Sequence, residues 1–137
     1  MDQIATLEST GMVLIETGEE EGLRWGIALA PRKDAVNGYV QLPFSHPLFE
    51  KFFDPDFEYM DQLNVKAHGG VTYFRDGIIG FDTLHYADLW TDEALAEVGG
   101  KNDERFPPII HSDCFYWTKD LVIEETKRFA RQLAEMK

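Results

Sequence analysis

Two histidines, three aspartates and a Gly-Gly step fall within one stretch from Asn64 to Asp88, NVKAHGGVTYFRDGIIGFDTLHYAD. His68, Asp82, His85 and Asp88 are residue types that bind a divalent metal or move a proton. Imidazole nitrogens with carboxylate oxygens suit Zn, Mn or Fe. The same groups suit acid–base work, with the His85 imidazole carrying the proton and Asp82 or Asp88 orienting it. If His68 ends one strand, Asp82 ends its hairpin partner, and His85 and Asp88 follow in the next loop, all four converge at one sheet end. His46 could join them. Gly69 and Gly70 could cradle an anion through exposed N–H groups. The candidate ligand-binding residues are therefore His68, Gly69, Gly70, Asp82, His85 and Asp88, and the candidate metal ligands His68, Asp82, His85 and Asp88.

The spacing is neither HExxH nor a two-Cys two-His array, so it names no single reaction. Each residue also has an ordinary structural use. His68 would end a strand and bond to a turn, and the glycines would allow a bulge or close backbone approach. Asp82 and Asp88 would cap turns, and His85 would bond a neighbouring carbonyl.

Elements that position this stretch can be read from the pattern around it. Met12 to Ile15 and Leu23 to Leu29 are apolar runs separated by ETGEEEG, whose Gly18 and Gly22 can supply positive φ, so a β-hairpin is expected. Pro31 ends the second strand, Asn37-Gly38 marks a turn, and Tyr39 to Leu42 reads as a third strand closed by Pro43. Phe44 to Met60 is irregular but too aromatic for disorder, which predicts a packed loop with a helical turn. Leu63 to Ala67 and Val71 to Phe74 read as strands, and Asp76-Gly77 turns the chain into Ile78 to Phe81. Thr91 can cap two helical turns reaching Val98, and Gly99 to Pro108 reads as a surface loop. Thr118 can cap a longer helix ending near Glu135, with Val122, Thr126, Phe129, Leu133 and Met136 on one face and Glu124 four residues before Arg128. Trp25, Trp90 and Trp117 read as core residues. The expected fold is α+β: a mostly antiparallel sheet of about five to six strands, packed by the long C-terminal helix plus one short helix, in a single domain over residues 1–137.

Bulk composition excludes several functions. The chain has 137 residues, of which 44% are hydrophobic, enough to bury a core without staples. Its one cysteine, Cys114, cannot form an intramolecular disulfide and lacks a nearby cation to make a thiolate. No basic leader or membrane-length apolar run is present, so a soluble, cytoplasmic protein is expected. A formal charge of -12 repels a phosphate backbone, so direct nucleic-acid binding is not expected. The acidity concentrates at Glu16, Glu19, Glu20 and Glu21, and at Glu50, Asp54, Asp56, Glu58 and Asp61, either as solvated loops or as a surface for a basic partner.

Gly38 to Pro43 with Ser45-His46-Pro47, His68 to Tyr73, Gly80 to Asp88 and Glu124 to Ala134 are four pieces in which this sequence resembles a family of small, uncharacterised proteins encoded by phages and prophages. Gly38-Tyr39-Val40-Gln41-Leu42-Pro43 with Ser45-His46-Pro47 is similar to that family's strand and His-Pro step. His68 to Tyr73 matches its His-Gly-Gly-(Leu/Val/Ile)-Thr-Tyr, and Gly80 to Asp88 its Gly-Phe-Asp-Cys-x-His-x-x-Asp, with Thr83 in the cysteine place. Glu124 to Ala134 resembles its terminal helix. The resemblance implies a phage accessory protein in the host cytoplasm, and it implies no activity.

Three functions remain open from sequence. The first is a non-enzymatic binding protein that recognises a host protein or small ligand near His68, Asp82, His85 and Asp88. The second is a small metal-dependent hydrolase using the same four residues. The third is an acidic decoy of a nucleic-acid-binding host protein. A homodimer is the default association, without an interface that the sequence identifies.

Overall fold

The computed structural model describes residues 3–57, 65–85, 87–102, 105 and 114–136. Within them, β1 (Val13–Glu20), β2 (Leu23–Leu29), β3 (Val36–Gln41), β4 (Tyr73–Arg75) and β5 (Ile78–Phe81) build a five-stranded sheet in the order β1-β2-β3-β5-β4. Every neighbouring pair in it is antiparallel. β6 (Asp88–Trp90) and β7 (Phe115–Trp117) form a separate parallel pair. Short helix α1 spans Asp92–Ala96 and long helix α2 spans Lys119–Ala134. The α+β architecture expected from the sequence is thus present, with the added parallel pair not foreseen.

Alternation along the strands sorts side chains to two faces. Trp25, Ile27, Leu29, Val36, Val40, Ile79 and Phe81 pack on one face with Val122, Phe129 and Leu133 of α2. On the other face Ala28, Tyr39 and Ile78 pack with Ile4 and Leu7. These last two come from an N-terminal 3-10 helix, Gln3–Thr10, that the sequence pattern did not reveal. Thr118 caps α2 and Thr91 caps α1, each side chain accepting an N–H from the first turn of its helix.

Several local expectations are corrected. The polar segment after Ile15 is strand rather than loop: β1 runs on to Glu20, and the turn shrinks to Glu21 (φ 52) and Gly22 (φ 82). Two successive positive φ values suit the right-handed twist of a two-residue hairpin. Gly18 therefore lies in the strand, directly beneath the Trp25 ring, which leaves no room for a Cβ. Asn37-Gly38 is likewise inside β3, not in a turn, because each residue has a partner there. The Asn37 side chain accepts the Thr83 N–H at 3.0 Å. Gly38 faces Thr126 Oγ1 and the Phe81 ring, so its missing side chain is what lets α2 sit close on the sheet. The reversal before β3 instead uses Lys33 at φ 63.

The hairpin at Asp76 (φ 54) and Gly77 (φ 84) and the helical turn at Phe49–Phe53 are as expected. Val65 to Ala67, expected as part of a strand, has no ladder partner and is held by side chains of α2, as described below. Arg128 pairs with Glu125 rather than Glu124, because the guanidinium meets both Glu125 oxygens at 2.8 and 2.6 Å. Glu58 and Asp61 of the second acidic group, Tyr59 and Met60 of the packed loop, Leu63 and Asn64 of the expected strand, and most of the loop 103–108 lie outside the described residues.

The close approach at Gly38 gives a stability test. Gly38→Ala should cost about 1–3 kcal/mol, the usual penalty for overpacking a filled core. Adding Thr126→Ala should restore part of that loss, and urea denaturation of the two single variants and the double variant beside wild type measures both effects.

Candidate functional site

His68 is delivered by a segment that has no strand neighbours. Gln132 of α2 pairs with the Lys66 peptide on both sides, receiving its N–H at 2.9 Å and donating to its carbonyl at 2.6 Å. The His68 N–H then donates to Glu125 Oε2 at 2.7 Å, and Arg128 braces Glu125 and also reaches the Lys66 carbonyl. The chain reverses through Gly69 (φ 67) and Gly70 (φ 90), with the Gly70 N–H closing the turn on the Ala67 carbonyl at 2.9 Å. That N–H is spent and the Glu125 carboxylate already sits on the His68 N–H, so neither of these two donors is open to an anion. Gly69 serves differently: the His85 ring lies over it, in the space a Cβ would fill.

Asp82 follows β5, where its Oδ1 accepts the Leu84 N–H at 3.0 Å and lies 3.5 Å from His85 Nδ1. Asp88 opens β6 and is the centre of the site. Its Oδ1 accepts from His68 Nε2 at 2.6 Å and from the Trp117 indole at 2.8 Å. Its Oδ2 accepts from the His85 N–H and from His85 Nδ1, each at 2.9 Å. The Asp88 side chain is 1% exposed, whereas His68 and His85 are 31% and 35% exposed. A carboxylate can only accept here, so both imidazoles turn an N–H inward and leave His68 Nδ1 and His85 Nε2 for an outside partner. The rings lie edge to face, 5.5 Å between centroids.

Burial by itself would raise the Asp88 pKa. The hydrogen bonds from Trp117 and from the His85 backbone and ring, with the charge of His68, outweigh it and hold the carboxyl below its ordinary value. The site is therefore a fixed negative charge presenting two oriented imidazoles.

The four residues singled out in sequence are thus brought together, though not as a sheet end: His68 stands in a turn held by α2, and Asp88 opens a strand of the second sheet. His46 is elsewhere. It is buried and donates Nε2–H to the Leu133 carbonyl at 2.7 Å while Nδ1 accepts the Leu48 N–H at 3.1 Å, tying the loop after β3 to the end of α2. Tyr86 lies outside the described residues. Trp117 was expected only as a core residue. At 4% exposed it is buried, yet its indole N–H holds Asp88, and its ring stands 4.7 Å from that of His68. The one sequence signal for this is general: a buried indole N–H needs an acceptor. Thr83, in the cysteine place of the resemblance, is fully buried, donating to the Val36 carbonyl at 2.8 Å and accepting the Trp90 indole at 2.9 Å. Leu84, Phe115 and Tyr116, near the cluster in sequence or in strand register, are 52%, 45% and 51% exposed.

Comparison with protein-family models, with curated proteins and with solved structures finds no match to this chain.

Asp88→Asn should destabilise the protein by roughly 1–3 kcal/mol at neutral pH, since an amide cannot accept four donors. The native Asp88 pKa is depressed, so its contribution is fully present above the ordinary value of 3.8 and is lost as pH falls through the lower native value. Urea midpoints of wild type and variant should therefore converge below about pH 4, and a gap that stays constant down to acid pH would contradict this assignment.

Proposed function

We propose that this protein is a non-enzymatic binding protein whose ligand is taken at the His68–His85 face. The observation that carries the reading is the fourfold use of Asp88. One buried carboxylate fixes the tautomer and direction of two half-exposed imidazoles, at the cost of bringing together three distant segments. A site whose residues are already assembled when its ligand arrives binds with a smaller ordering cost. Thr83, the aliphatic hydroxyl nearest in sequence to His85, is enclosed and engaged twice, which favours recognition over attack by an aliphatic hydroxyl nucleophile.

A metal-dependent hydrolase is the second reading, favoured by Asp82, whose Oδ1 approaches His85 Nδ1 at 3.5 Å. The resemblance to phage and prophage proteins supports placing either activity in a host cytoplasm, acting on a host protein or a small molecule. For the decoy reading, Glu16 and Glu20 are partly spent in holding β1 to α2 through Lys119 and Arg131.

A melting screen against nucleotides, inorganic phosphate, dicarboxylic acids and amino acids, run on wild type and His85→Ala, tests the binding reading. A ligand at a hundred times its Kd should add about 2.7 kcal/mol, which shifts a domain of this size by several degrees. That shift should vanish in His85→Ala; ligands that stabilise both chains equally would count against this face. Turnover of p-nitrophenyl esters or phosphates that disappears in Asp82→Asn would favour the hydrolase instead.

A further inference from the structure

We propose that His68 Nε2, His85 Nδ1 and the Asp88 carboxylate are the protein ligands of a divalent transition-metal ion, with Asp82 Oδ1 as a fourth donor. This rests on the reading of the same face as a ligand-binding site and names the ligand.

Convergence is the first ground. The donor atoms of His68, His85 and Asp88 lie within 4.8 Å of one another. The individual separations are 2.6 Å for His68 Nε2 to Asp88 Oδ1, 2.9 Å for His85 Nδ1 to Asp88 Oδ2 and 3.5 Å for His85 Nδ1 to Asp82 Oδ1. An ion with bonds of about 2.0–2.2 Å in tetrahedral geometry needs its donors about 3.4 Å apart. The two short His–Asp88 contacts lengthen by less than about 1 Å to admit one.

Lone-pair accounting is the second ground. Each Asp88 oxygen accepts two hydrogen bonds: one from a group that cannot turn away, the Trp117 indole or the His85 backbone N–H, and one from an imidazole. An arriving ion replaces only the imidazole bonds. Each ring then shifts its proton to the outward nitrogen, His68 Nδ1 or His85 Nε2, on rings about one third exposed, where water accepts it. Trp117 and the His85 N–H stay in place as the outer hydrogen bonds that orient a ligating carboxylate. The site thus has two exchangeable inner contacts and two permanent outer ones, the arrangement that suits a ligating carboxylate.

Donor chemistry selects the ion. Two imidazole nitrogens with one or two carboxylates suit Zn²⁺, Mn²⁺ or Fe²⁺, whereas Ca²⁺ and Mg²⁺ prefer all-oxygen shells. Asp88 and Asp82 together also match the charge of a divalent ion.

The test is titration of chelator-treated, untagged protein with Zn²⁺, Mn²⁺ and Co²⁺, followed by calorimetry and by the visible bands of bound Co²⁺, with circular dichroism to show that each variant is folded. One ion per chain is expected, with binding lost in His68→Ala and in His85→Ala. Trp117→Phe removes no ligand and should weaken binding tenfold to a hundredfold, with Co²⁺ bands retained. Failure of all three metals to bind folded wild type overturns the proposal, as does binding that is unchanged in folded His85→Ala. Loss of metal binding in His85→Ala only together with loss of folding would shift the decision to Trp117→Phe and Asp82→Asn, and unchanged affinity in both would also overturn it. If metals fail while the organic screen still yields a ligand whose effect vanishes in His85→Ala, the binding reading stands and the metal proposal falls.

Discussion

The Asp88 carboxylate is the constraint on which the candidate site depends. A buried carboxylate carries a desolvation cost of several kcal/mol unless its oxygens are filled. Here four donors fill them, drawn from His68, from His85 twice and from Trp117. Meeting that demand forces the turn after Ala67, the loop after β5 and strand β7 to one point. The parallel pairing of β6 with β7 follows the same logic, since register places Asp88 beside Phe115 and Trp90 beside Trp117. The small second sheet is thus the frame that brings an indole to a carboxylate.

Helix α2 supplies the other half of the frame. Its apolar face is seated by the absence of a side chain at Gly38, opposite Thr126 and Phe81. Its polar face carries Glu125, Arg128 and Gln132, which take the place of a neighbouring strand for residues 66–68. An amide side chain that satisfies both the N–H and the carbonyl of one residue gives the same two bonds as a ladder partner, without requiring a strand there. The position of His68 is therefore set by the depth at which α2 sits on the sheet, so packing at Gly38 and geometry at the site are mechanically linked.

Much of the fold is legible in the sequence where the signal is local. Apolar runs mark β2 and β5, Thr118 and Thr91 mark both helix starts, and Asp76-Gly77 marks its turn, because each depends on residues a few positions apart. The misread segments were decided at a distance. Asn37-Gly38 carries turn chemistry, but Thr83 and α2 claim both residues for a strand. The polar run after Ile15 becomes strand because Trp25 lies over Gly18. At the site, residue type picked out His68, Asp82, His85 and Asp88, since few other side chains offer such donors. It did not exclude His46, whose burial against Leu133 is a tertiary fact, nor include Trp117, which stands 29 positions from Asp88.

Position 83 shows how a motif and a site can share a segment without sharing a role. Thr83 is flanked by residues of the cluster, and a cysteine at this position would invite a reading as thiolate ligand or nucleophile. The structure turns this side chain the other way. Its hydroxyl lies between the Val36 carbonyl and the Trp90 indole, and its N–H goes to Asn37, so the residue couples β3 to the loop that carries His85. A cysteine in the same place would be enclosed among the same groups as a small, weakly donating side chain. It would be poorly placed to become a thiolate, because burial away from cations disfavours the charged form. What Thr83 adds is two strong hydrogen bonds where sulfur would make weak ones, holding the loop whose far side presents His85 and Asp88.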